Sequence, residues 1–375
     1  MKALQGREVL CCVGSGGVGK TTAAAALALR AAVEGKRALV LTIDPARRLA
    51  NSLGLKTLGN QETRIEQSLF ADAHLSPRGE MWAMMLDLKR TWDELVRRAA
   101  RTPEQAQAIL GNKLYQTLST SMAGSLEYMA MEKVYELYSS GSFDLIVLDT
   151  PPTSNALDFL HAPDRILDVL DNNAMRLVLG PLLKAGKIGF RLLAAPSSLV
   201  LRTLARFTGI DFLRDLAAFM LAFEGMYEGF KERAAKVKEL LASSRTGFVL
   251  VTSPNPLTTQ EALFFHRALE SDGIRTAAVV VNRVQRDPRR HGGPDNLPAL
   301  QEALRLAQIK DENHLSDRLC QTLTEQAILA DLDRREVDRL RDTLRGVPLF
   351  TVPRLRKDVH DLAGLWQIGE YLGGE

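Results

Sequence analysis

Residues 14 to 22 of this 375-residue chain read GSGGVGKTT, directly behind the apolar run EVLCCV at 8 to 13 and ahead of an alanine-rich stretch from Thr21 to Val33. Gly14, Gly16, Gly17 and Gly19 free the backbone to turn sharply and aim successive N–H groups at one point. A helix that begins there adds the positive end of its dipole, so the segment suits a phosphate group. Gly14, Gly19, Lys20 and Thr21 meet the spacing GxxxxGK[ST]. In that pattern the backbone N–H groups of residues such as Ser15, Val18 and Thr22 line the loop, the lysine reaches the β and γ phosphates, and the threonine hydroxyl ligates Mg²⁺. Gly14, Gly16 and Gly19 also fit the dinucleotide pattern GxGxxG, but the Lys-Thr pair that follows at once favours a phosphate loop for ATP.

Further short apolar runs at 37 to 43 (RALVLTI), 144 to 149 (DLIVLD), 248 to 253 (FVLVTS), 277 to 282 (AAVVVN) and 348 to 353 (PLFTVP) read as buried strands. Strands alternating with helical patterns predict an α/β P-loop fold, a mostly parallel sheet covered by helices on both faces. Two long segments without strand signals, 75–140 and 163–243, carry apolar residues at helical spacing and read as an inserted α-helical subdomain. The nucleotide-binding domain is then 1–74, 141–162 and 244–375, with a loop and surface helices across 284–346. Apart from Met1, all nine methionines fall between Met81 and Met226. They fill gaps in a helical core, or they form an adaptable apolar surface for varied hydrophobic partners.

Composition narrows the function. The 48 basic residues nearly cancel the 45 acidic ones, which argues against a nucleic-acid binder, and the run Arg283, Arg286, Arg289, Arg290 reads as a solvated loop. Cys11, Cys12 and Cys320 are too few and badly spaced for a zinc knuckle or disulfide framework and suit a reducing compartment. The expectation is a cytoplasmic protein without signal peptide or integral membrane segment.

Two carboxylates stand at strand ends. Asp149 closes an apolar run beside the loop, the pattern of a carboxylate adjacent to a bound metal, against the plainer reading of an acid at a turn. Asp44, followed by Pro45, falls where a γ-phosphate and its attacking water would lie, or else caps a helix over 45–53.

GSGGVGKTT, TIDPARRLANSLG, LDTPPTSNALDFL, VVVNRV and VPLFTVPRLRKDVHDL together resemble the phosphate loop, two switches and adenine-contacting segments of the arsenite-pump (ArsA) and tail-anchored-protein targeting ATPases, within the class that includes MinD and ParA. The resemblance implies ATP hydrolysis with Asp44 as catalytic aspartate alongside Lys20, and Mg²⁺ held by Thr21 and, through water, by Asp149. It further implies Asn282 as adenine reader and Pro353 along the adenine ring, although Asn282 also reads as a turn residue capping its strand. It implies a homodimer, or a heterodimer with a related ATPase, that closes on ATP and grips a hydrophobic protein segment or membrane protein.

The chain departs from that family in four respects. Ser15 stands where the family's loop has a lysine that reaches the facing subunit's nucleotide, which leaves Arg47 or Arg48, a partner's cation, or slow turnover to account for its absence. Asn155 replaces a histidine of the second switch. The CxxC zinc clamp and the cysteine triad of arsenite sites are lacking. Three other readings remain open: an energising subunit of an anion exporter, a positioning ATPase of the MinD and ParA type, and a low-turnover nucleotide-binding subunit.

Overall fold

The computed structural model describes residues 5–44, 48–121, 125–150, 227–291, 297–310 and 315–373, together with 161, 164 and 219. The phosphate-loop segment links β1 (Val9–Val13) to α1 (Lys20–Val33), and β2 (Arg37–Thr42) follows. Next come α2 (Arg48–Ser52), β3 (Thr63–Arg64), α3 (Gln67–Asp72) and β4 (Glu80–Met85). Four helices, α4 (Leu88–Ala99), α5 (Pro103–Leu110), α6 (Lys113–Ser121) and α7 (Ser125–Ser139), lead to β5 (Leu145–Asp149). The chain is described again through α8 (Tyr227–Ala242), β6 (Thr246–Thr252), α9 (Pro256–Ser271) and β7 (Thr276–Val284). After a 3-10 turn at Pro288–His291 come α10 (Leu297–Leu306), α11 (Leu315–Thr343), β8 (Leu349–Pro353) and α12 (Leu362–Tyr371).

The eight strands form one sheet in the order β3-β4-β2-β5-β1-β6-β7-β8, parallel except where β3 meets β4. Side chains alternate across it. Val9, Cys11 and Val13 enter a core with α4, α7, α8 and α9, while Leu10 and Cys12 enter the opposite core with α1 and α12. The adjacent cysteines thus end in separate layers. Helix α1 lies between the sheet and α12, and seven of its ten buried residues are alanine, because a small side chain lets both neighbours approach.

The strands read from the sequence are all present, and two more appear. β4 lies inside 75–140, the segment read as helical without strand signals, so that reading is corrected for 80–85. Its sequence, EMWAMM, lacks the β-branched residues that mark strands, and tertiary pairing with β2 decides its conformation. Met81 and Met84 are therefore buried in the sheet, and Met129 and Met131 in α7. These four are packing residues, whereas Met122, Met175, Met220 and Met226 lie outside the described residues. So does most of 163–226.

The described residues of 284–346 are loop and helix as expected, but Arg289 is tied down rather than merely solvated. Asp287 accepts from Arg289 at 2.8 Å and from Arg334 of α11 at 2.7 Å, while Arg289 reaches Asp331 at 2.7 Å.

The packing of α1 is directly testable. Ala25 is fully buried, and Ala25→Leu is expected to cost about 1–3 kcal/mol by overpacking. Leu332, half exposed on α11, should tolerate alanine within about 0.5 kcal/mol. Denaturant titration of both variants checks the pair.

Candidate nucleotide site

Parallel pairing brings the carboxyl ends of β2, β5, β1 and β6 to one edge. In register, Thr42 of β2 lies beside Asp149 of β5, and Asp149 beside Cys12 of β1. The loop leaves β1 at this edge, where open parallel sheets bind ligands. Gly14 has φ 149° and sits so close to β6 that a Cβ would overlap the Val251 carbonyl oxygen. Gly19, with φ 97°, ends the loop against the Asn282 amide, where again no side chain fits.

Lys20 is buried at the first position of α1. Its Nζ donates to the carbonyl oxygens of Gly14 at 2.9 Å and Ser15 at 2.8 Å, so the ammonium braces the loop from inside. Burial lowers its pKa, offset in part by Asp149. The Thr21 hydroxyl donates to Asp149 Oδ2 at 2.7 Å, and the Thr42 hydroxyl donates to the same oxygen at 2.8 Å. Asp149 is 1 % exposed, and its other oxygen, Oδ1, is buried without a partner among the described residues. Burial pushes its carboxyl up to about 6, against the two hydroxyl bonds and Lys20, which lower it. An orphaned carboxylate oxygen beside a threonine hydroxyl, both at the mouth of the loop, fits a divalent cation with hard oxygen ligands.

Asp44 lies two residues past the end of β2 and pairs with Arg48 of α2, Oδ2 to Nη1 at 3.3 Å. The described part of α2 begins at Arg48, and the start of the 45–53 segment that Asp44 would cap lies outside the described residues. Arg47 and Pro45 lie outside the described residues, as do Asn155 and the second switch beyond Thr150.

At the far end of the loop, β7 runs to Val284, which places Asn282 inside the strand and not at a turn. Its Nδ2 donates to the Val18 carbonyl oxygen at 2.8 Å. Arg283, next in sequence, has φ 63°, where the register with β8 shifts. Asn282, Pro353, Thr22, Arg283 and Lys357 line one cavity of about 400 Å³ at the loop's flank. A larger groove of about 1160 Å³ adjoins it and shares Gln285, Arg354 and Lys357 with it.

The structure therefore brings together Gly14 to Thr22, Asp149, Asn282 and Pro353 around one edge, with Asp44 beside it. Sequence reading missed Thr42, whose hydroxyl helps to fix Asp149 and which the β2–β5 register alone identifies. It also missed Glu261 of α9, whose carboxylate accepts from the Ser15 hydroxyl.

A glycine-rich loop between β1 and α1, with a buried lysine, a threonine and a strand-end aspartate converging on it, defines a P-loop nucleotide-binding protein. The model of the anion-transporting ATPase family matches residues 7–311, and the chain belongs to that family. Over 159 residues it is 34% identical to a protein of Prosthecochloris vibrioformis assigned as an arsenical pump-driving ATPase, covering 42% of this chain and 36% of that protein. It is 25% identical to ATPase GET3B of Arabidopsis thaliana over 355 residues, 89% of this chain and 75% of that one. With ATPase get3 of Aspergillus terreus it shares 28% over 273 residues, 72% and 71% of the two chains. The match to the first of these spans little more than a third of that relative's length.

The raised Asp149 carboxyl has a signed consequence. Between its unfolded pKa near 3.8 and its folded pKa of about 6, the native chain holds more protons than the unfolded one. The penalty of ionising it therefore grows as pH rises through that window. Asp149→Asn, still able to accept the two hydroxyls, should raise the metal-free stability at pH 7.5, by up to about 3 kcal/mol. The gain should shrink to about 0.5 kcal/mol near pH 4, as thermal melts at both pH values would record.

Proposed function

We propose that this chain binds ATP with Mg²⁺ and hydrolyses it, as a molecular switch whose nucleotide state governs the grip on a hydrophobic protein segment or membrane protein. The observation that carries the catalytic part is the convergence of Lys20, Thr21 and Asp149 at the loop, with one buried Asp149 oxygen lacking a partner among the described residues. Thr21 and, through water, Asp149 would hold the cation, which when bound supplies positive charge to the β and γ phosphates.

Lys20 leaves the Gly14 and Ser15 carbonyls and turns its ammonium to the phosphates, while the backbone N–H groups of 15 to 22 close around them. Asp44 orients the attacking water in line with the γ-phosphate, and Arg48, paired with Asp44, is a cation that could serve in place of the missing lysine. Asn282 and Pro353, lining the flank cavity, receive the adenine.

The partner role rests on the resemblance to the targeting ATPases and on relatives named GET3, and with it goes a dimer of like or related subunits. No helix among the described residues is long and apolar enough to cross a membrane. The second reading, an energising subunit of an anion exporter, rests on the relatives named for arsenical pumps. Cys11 and Cys12 give it no support as thiolate ligands. Both are buried in β1, and burial pushes Cys11 up to about 12 and Cys12 well above its usual range.

Phosphate release by the purified chain tests the hydrolysis reading. Mg²⁺-dependent turnover should fall about 10²-fold or more in Lys20→Ala and in Asp44→Asn. Asp44→Asn should still bind ATP, and proteins retained by that variant would identify the partner. Native turnover that is absent, or unmoved by Lys20→Ala, would remove the hydrolysis claim.

A further inference from the structure

The phosphate loop is anchored at both limbs. Gly14 is pressed onto the Val251 carbonyl at the end of β6, and the Val18 carbonyl is held by the Asn282 amide of β7. Its crown, Ser15 to Gly17, is different. Gly16 and Gly17 are exposed, and a Cβ at Gly17 would meet nothing within 4 Å. Two restraints act on the crown: Lys20 from inside, through the Ser15 carbonyl, and Glu261 from outside, through the Ser15 hydroxyl.

Those two restraints differ in fate. The lysine must release the Gly14 and Ser15 carbonyls to reach a nucleotide, so the inner brace is lost at the moment the loop has to hold its shape. The hydroxyl–carboxylate bond need not be. Glu261 is presented for it by the fold. Asn255 caps α9, its side chain accepting from the Leu257 N–H at 2.9 Å, and Ala262, Leu263 and Phe265 bury the helix against the sheet. Glu261 lies on the outward side of that fixed helix.

We propose that Glu261 is a positioning residue for the phosphate loop: it holds the Ser15 hydroxyl and thereby keeps the crown shaped for the phosphates once Lys20 has turned to them. The inference rests on the nucleotide-binding reading above and deepens it. It also assigns Ser15 a task within its own chain, toward α9, at the position where the resembled family places a lysine that reaches the facing subunit. The pair acts on binding, through the loop's shape, and neither group touches the reacting atoms.

A double-mutant cycle tests this, with the affinity for a non-hydrolysable ATP analogue in Mg²⁺ measured by equilibrium titration. Ser15→Ala and Glu261→Ala should each weaken binding by about 3–10-fold, as loss of one hydrogen bond implies. The double variant should bind no more weakly than either single one, because both remove the same contact. Glu261→Gln keeps an acceptor oxygen and should bind within about twofold of the native chain. Melting without nucleotide, expected to stay close to native for all four, separates loop shape from fold, and a variant that melts early leaves the Gln variant as the deciding comparison. Multiplying effects in the double variant, or a Glu261→Ala chain that binds like the native one, would overturn the proposal. A native chain that binds no analogue at all would instead overturn the nucleotide-binding reading on which it stands.

Discussion

Everything at the sheet's carboxyl edge depends on where the Asp149 carboxylate is held. It lies at the end of a fully buried strand, accepts hydroxyls from Thr21 and Thr42, and has one oxygen without a partner among the described residues. A carboxylate costs free energy in such a place unless its charge is answered. The two hydroxyls and the nearby ammonium of Lys20 answer part of that charge. On the proposed reading, a cation at the mouth of the loop would answer the remainder, and the cost of burying the carboxylate would then contribute to affinity for that cation.

The rest of the structure serves to hold that arrangement. Parallel register between β2, β5 and β1 sets Thr42, Asp149 and the start of the loop level with one another. The alanine surface of α1 lets the helix that carries Lys20 and Thr21 lie close under α12 and over the sheet. β6 and β7 then grip the loop from the other side, through the Val251 carbonyl and the Asn282 amide. Asn282 therefore braces the loop whatever else its amide recognises, a task distinct from reading a base.

The phosphate loop, Asp149 and six of the eight strands were legible in the sequence, because each is a local signal: glycine spacing, a Lys-Thr pair, β-branched runs ending in polar residues. β4 was not, since Met81, Trp82, Met84 and Met85 carry no strand preference and owe their conformation to the neighbouring β2. The two-residue β3 exists only as an antiparallel addition to β4. Thr42 is an ordinary strand threonine until the register puts it beside Asp149. The pairing of Ser15 with Glu261 spans 246 positions and joins two common residue types, so nothing short of the fold reveals it.

Whether this edge is one Mg²⁺-nucleotide site per chain is tested most directly by calorimetric titration of the native protein with a non-hydrolysable ATP analogue. The arrangement predicts saturable binding of one analogue per chain, weakened when EDTA removes the cation and lost when Lys20 is replaced by alanine. A folded chain that takes up no analogue, or takes it up equally with EDTA and without Lys20, would contradict it.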